Sequence, residues 1–190
     1  MKKIILAAGL AASLLTTQAM ADKDMYVGLD IVSSSNEFTL DNSLVSVSGD
    51  DNSEALKFKV GSTGNDGWRY QFYYLRETYD MPVFDASNDV LIEIGYDIIK
   101  GFKVTPKFSS FIQAGVGFGW MNVTGYTESS WKEYSLKIGA GVMYELVSQV
   151  ELVAGIDLQH RQWQDINVGF YTIDTTEKST KLYAGINYYF

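Results

Sequence analysis

From Met25 to the last residue, apolar side chains recur at every second position in one segment after another. That alternation dominates over any 3.6-residue period, so the chain is built of strands with one apolar and one polar face. After the N-terminus no run of 18 apolar residues occurs, which excludes a bundle of transmembrane helices. If the chain crosses a membrane, it does so with strands.

Eight strands are predicted, at residues 25–32, 54–62, 67–78, 89–99, a fifth ending at 120, 131–146, 149–163 and 180–190. Val27, Leu29 and Ile31 share one face of the first, Phe58 and Val60 one face of the second, and Phe72 and Tyr74 one face of the third. Arg76 breaks that third pattern and allows a bulge there. Ile138 on the sixth and Ile156 on the seventh continue the apolar face, and glycines and charges occupy the other. The connections alternate strictly: 33–53, 79–88, 121–130 and 164–179 are long and polar, whereas 63–66, 100–103 and 147–148 are short. Barrels that span the outer membrane have short periplasmic turns and long external loops, which puts both ends of the strand array on the periplasmic side.

A soluble β-sandwich also alternates, but it closes with short hairpins at both ends. Aromatic placement is a second criterion, because bilayer-spanning barrels carry aromatic girdles at both interfaces. Trp120, Trp131 and Trp163 fall at the external ends of their strands, and Trp68, Tyr188 and Phe190 at the periplasmic ends. The predicted fold class is therefore all-β, an eight-stranded antiparallel up-and-down transmembrane β-barrel.

Met1-Lys2-Lys3, the apolar run 4–15 and the small-residue end Ala19-Met20-Ala21 make residues 1–21 an expected signal peptide, leaving residues 22–190 as one domain. Cysteine is absent, which removes disulfides and thiol chemistry. The net charge of −8, more negative once Lys2 and Lys3 leave, argues against a nucleic-acid partner.

The polar face would line the barrel interior with Asp30, Glu93, Asp97, Glu145, Glu151 and Asp157 against Lys57, Lys59, Arg69, Lys137 and Lys181. An eight-stranded barrel is just wide enough for its side chains to fill it, and charges confined there must pair or stay hydrated. Two readings stay open: a closed core of ion pairs, or a narrow pore lined by charge. Inward glycines such as Gly95, Gly155 and Gly185 fit both, as water-filled gaps or as room for bulky neighbours.

The stretch Gly139-Ala140-Gly141-Val142-Met143-Tyr144-Glu145-Leu146 and the end Gly185-Ile186-Asn187-Tyr188-Tyr189-Phe190 resemble the small outer-membrane barrels that include the OmpA transmembrane domain, OmpX and the opacity-type proteins. Tyr188 and the terminal Phe190 are similar to the signal by which the barrel-assembly machinery reads its clients in that family. The resemblance implies a porin-like barrel in the bacterial outer membrane, with lipid, lipopolysaccharide, periplasmic chaperones and the assembly machinery as partners. The chain stops where longer members continue into a peptidoglycan-binding domain, so no cell-wall tether is implied.

The family includes lipid-A-modifying enzymes marked by a His-x-Ser pair, but two residues after His160, the one histidine of the chain, stands Gln162. Asp50, Asp51 and Asp80 lack calcium-loop spacing, and no phosphate-binding glycine loop opens a helix. No catalytic residue, cofactor or metal is expected. The expected role is non-enzymatic, surface-exposed or envelope-structural, with the loops open to an extracellular ligand and a narrow solute channel as the competing class.

Overall fold

The computed structural model describes residues 25–42, 45–80, 90–122, 130–168 and 171–190. The expected signal peptide lies outside them, as does most of the second and third external connections. Among the described residues nine strands follow in chain order: β1 Met25–Asp41, β2 Ser46–Thr63, β3 Trp68–Tyr79, β4 Val90–Lys103, β5 Phe108–Asn122, β6 Ser130–Val147, β7 Val150–Trp163, β8 Ile166–Val168 and β9 Tyr171–Tyr189. Each long strand pairs antiparallel with the next, and β1 pairs with β9 from Tyr26 opposite Tyr189 to Asp41 opposite Asp174. The sheet thereby closes on itself as an eight-stranded barrel. β8 stands apart, as a short hairpin arm on β9.

The periplasmic turns are tight. Between β2 and β3, Asp66 (φ 59) and Gly67 (φ 79) are successive left-handed residues, and a Cβ on Gly67 would lie 2.7 Å from the Gly101 carbonyl oxygen. Between β4 and β5, the Val104 and Thr105 amides both donate to the Phe108 carbonyl, at 3.0 and 2.9 Å. The strand runs to Lys103, so this turn lies after the predicted 100–103. A register shift between Glu145 and Val147 precedes the β6–β7 turn. No bulge forms at Arg76, which pairs in unbroken register with Leu56 and Ile92 and points outward.

The main departure from the sequence reading is height. Most of the connections expected over 33–53 and 164–179 is strand: β1 continues nine residues past Val32, and β9 begins well before Thr180. Above the lipid the outward face meets water and the inward face, with Ser34, Asn36, Ser53 and Glu177, is buried in a polar network, so both faces are polar and the hydropathy alternation fades there. The backbone pairing continues regardless, because ladder hydrogen bonds do not depend on side-chain polarity.

The outer surface is an apolar belt. Ile31, Phe72, Leu136, Ile138 and Leu182 are each about 60 % exposed or more, which on a water-facing surface would be a large unprotected patch. The belt ends outward at exposed Ser33, Glu54, Arg76, Lys132, His160 and Lys178. At the periplasmic rim Trp68 faces outward with Lys100 Nζ 5.0 Å from its ring, and Tyr188 lies on the same outward face. Trp120 faces outward at the external end beside Phe118, which also packs on Tyr134 with ring centroids 5.2 Å apart.

Trp131 and Trp163 do not belong to that girdle. They are 5 % and 1 % exposed and point into the barrel, stacked on each other at 4.2 Å. Their position in the strand decides this. Tyr134 and Leu136 face lipid on β6, so odd-numbered residues there face inward, and on β7 the outward Leu158 and His160 put Trp163 inside.

Candidate functional site: the charged lumen

Inward-facing charges sort into two tiers. The periplasmic tier begins with Arg69, whose Nη1 and Nη2 bind the two Glu151 oxygens at 2.7 and 2.9 Å in the planar fork that guanidinium and carboxylate favour. Tyr189 and Asn187 also donate to Glu151, at 3.0 and 3.1 Å. Above this pair Lys59 binds Asp30 at 2.6 Å, and Asp97 holds both Lys57 at 3.1 Å and Lys137 at 2.8 Å. The two ammonium groups sit over the Tyr73 ring, at 4.6 and 3.8 Å from its centroid. Asp157 accepts from Gln113, and Glu145 is half-buried at the periplasmic mouth, opposite Glu151 in register.

The external tier is centred on Arg161. Its Nη2 reaches Glu77 at 2.6 Å and Glu93 at 2.8 Å, and its Nη1 reaches Glu177 at 2.8 Å. Lys181 adds a second cation on Glu77 at 2.8 Å. Tyr73 donates to Glu93 at 2.6 Å, tying this tier to the Lys57–Lys137 layer below. Over the top lie the stacked Trp131 and Trp163, with Phe38, Tyr79, Leu91 and Met121. Trp163 Nε1 donates to Glu177 at 3.0 Å, so the lid is bonded to the charges it covers.

Glu77, Glu133, Arg161 and Glu177 were not among the residues singled out from the sequence. Arg161 and Glu133 lie near the ends of predicted strands and Glu177 in a predicted loop. The signal that finds them is position in the strand: Arg161 shares its inward face with Asp157 and Gln159.

Apolar residues also pack inward: Leu75 between Tyr73 and Glu77 on β3, and Ile99, Phe111, Met143 and Val153 among the residues of the periplasmic tier. A void among Tyr26, Asp30, Lys57, Gln113 and Tyr183 has a volume of about 10 Å³, near the lower limit for a single water.

The glycines explain this density. Tyr26, Tyr73, Tyr183 and Phe111 stand directly across a strand pair from Gly61, Gly95, Gly155 and Gly141. Each ring lies where a Cβ on its partner glycine would be. Asp97 covers Gly115 and Asp30 covers Gly185 in the same way. The glycines are thus filled sites, with a neighbour's side chain laid across the missing one.

No family model matches the sequence, and no curated protein does. Solved structures do. Neisserial surface protein A is 21 % identical with a TM-score of 0.65, over 90 % of this chain and 100 % of that one. The fold is that of the small bacterial outer-membrane barrels. OprH of P. aeruginosa is 16 % identical with a TM-score of 0.56, over 88 % of this outer-membrane barrel and 99 % of its own chain. The outer membrane protein AlkL is 12 % identical with a TM-score of 0.57, over 92 % and 94 % of the two chains. At these identities the likeness carries the fold and leaves the activity to be argued from the site.

Proposed function

We propose that this outer-membrane barrel is non-enzymatic and electrically closed, a rigid stave that holds the extended β1–β2 and β8–β9 arms above the membrane in a surface-exposed or envelope-structural role. The observation that carries the reading is the double tier of ion pairs under the Trp131–Trp163 stack. A conducting path needs a water column, and here the cross-section is occupied by side chains bonded to one another. His160, the candidate for an enzyme, is exposed on the outer face, with Leu136 and Lys178 as its cross-strand neighbours, away from the lumen network. Outer-membrane lipid and lipopolysaccharide would contact the belt and its rim, the assembly machinery would read Tyr188 and Phe190, and an extracellular ligand would meet the arms.

The test is single-channel recording on the refolded barrel in a planar bilayer, with faster migration of the unboiled protein on a mild detergent gel as proof of folding. A folded, silent barrel supports the proposal. Steady, reproducible conductance overturns it in favour of a narrow ion channel.

A further inference from the structure

The external tier has more acid than base. Glu77, Glu93, Glu133 and Glu177 face two cations, Arg161 and Lys181. A guanidinium has five N–H donors, and those of Arg161 go to Glu93 (Nε and Nη2), Glu77 (Nη2), Glu177 and the Tyr79 hydroxyl (Nη1). None remains for Glu133, whose nearest approach to it is Oε2 to Nε at 4.0 Å. Glu133 is 0 % exposed, and among the described residues neither of its oxygens accepts a hydrogen bond. An ionised carboxylate in that setting, out of water and without a donor, is strongly disfavoured.

Register shows how the crowding arises. Glu93 on β4 and Glu133 on β6 both stand opposite Gly119 of β5. Without a side chain on β5, the two carboxyls lean over the same strand from either side. A Cβ on Gly119 would collide with Glu133 Oε1, and a Cβ on Gly117 would lie 2.8 Å from Glu93 Oε1. Both carboxyls also flank the same Arg161 nitrogen, with Glu93 Oε2 at 3.0 Å and Glu133 Oε2 at 4.0 Å from Nε. Two buried carboxyls crowded in this way do not both ionise; one keeps a proton. A metal ion is the other way to cancel the charge, but among the described residues no group of three or more His, Cys, Asp or Glu side chains is arranged to hold one.

We propose that Glu133 is a proton-binding site inside the barrel, held as the neutral acid and donating its proton to Glu93 above Gly119. The pair then presents one negative charge to Arg161. The other groups facing it are Tyr73, Glu77 and Tyr79 from β3, Gln159 and Arg161 from β7, Glu177 and Lys181 from β9, and Lys137 below on β6 itself. β1 and β2 bring the neutral Ser34, Asn36 and Ser53, and β2 also the buried carboxyl Asp51, opposite Asn36 in register. The folded barrel keeps a proton that the unfolded chain releases in the ordinary carboxylate range, so the folded state binds more protons above that range. Stability therefore falls as pH rises from there until Glu133 ionises in the folded state as well. That ionisation places a second charge beside Glu93, directly beneath the tryptophan lid.

Infrared spectroscopy of the refolded barrel in lipid, read across a pH titration, tests this independently of any conductance. The wild type should show the carbonyl stretch of a buried protonated carboxyl at neutral pH, lost reversibly on alkalinisation. Glu133→Gln, an isostere of the neutral acid, should fold, lack that band and lose the alkaline fall in stability. The proposal is overturned if the neutral-pH band is missing in wild type, if it persists in Glu133→Gln, or if that variant does not fold. Stabilisation by added sodium or calcium at fixed pH, with no carboxyl band, would replace the proton by a metal ion.

Discussion

Trp131 and Trp163 lie on adjacent strands with their rings 24° from parallel and 4.2 Å apart, and Trp163 donates to Glu177 beneath it. The stack therefore does two things: it fills the external end of the lumen, and it removes water from the Arg161 cluster, strengthening each charge-assisted hydrogen bond there. Trp163→Ala removes both the ring and its N–H. Loss of a buried tryptophan costs about 3–5 kcal/mol, and urea unfolding in lipid vesicles should show a fall of that size. The same variant should admit water to the external tier, read as faster exchange of the backbone amides of β7 and β9. Unchanged exchange would mean that the lid does not seal the cluster.

Arg161 is a single cation shared by Glu77, Glu93 and Glu177, all fully or almost fully buried. Arg161→Met keeps much of the length and removes the charge, leaving these carboxylates without their main donor. Breaking a buried ion pair in this way costs about 3–5 kcal/mol. The penalty should shrink as pH falls, because protonated carboxyls no longer need the cation. Adding Glu93→Gln and Glu177→Gln to Arg161→Met should recover much of the loss at neutral pH. An equal penalty at acid and neutral pH would assign the effect to packing instead of charge.

The glycines under the rings make a volumetric prediction. Tyr73 lies across Gly95, its cross-strand partner, and also donates to Glu93 and supports Lys57 and Lys137 over its ring. A Cβ at position 95 meets the ring and displaces it, so Gly95→Ala should cost about 1–3 kcal/mol although it raises strand propensity. Gly49, with open space where its Cβ would be, is the control, and Gly49→Ala should be close to neutral. Equal effects at the two sites would refute steric filling as the reason for the inward glycines.

The fold and the facing of side chains were legible because a bilayer imposes one environment on every strand: Ile31, Phe72 and Ile138 must all be apolar, and Asp30, Lys59 and Asp97 opposite them need partners. The heights of β1, β2 and β9 were not legible, since above the lipid a stretch such as Ser33-Ser34-Ser35-Asn36 is polar on both faces and reads as loop while pairing as strand. Trp131 and Trp163 went astray for a different reason. Their height along the strand fits a girdle, and only the inward facing set by Tyr134 and Leu158 separates a lipid anchor from a lid. Arg161 was hidden likewise, at a strand end where charge is ordinarily solvated. Which acids converge on it depends on register between strands 84 residues apart in sequence, as for Glu77, and no local pattern encodes that.

The facing also sets where a charge can be added from outside. Ile138 lies mid-belt on β6, 62 % exposed, with Ala114 and Leu158 beside it in register. An arginine there would sit among acyl chains, and Ile138→Arg should destabilise by about 2–4 kcal/mol. Ser33→Arg also points outward, but at the external edge of the belt, where the cost should be about 0–1 kcal/mol because the guanidinium reaches the headgroups. Unfolding midpoints of both variants against wild type in vesicles of one lipid give the comparison directly. Equal destabilisation would mean that the belt extends past Ser33, and a change below about 0.5 kcal/mol at Ile138 would mean that this face does not meet lipid.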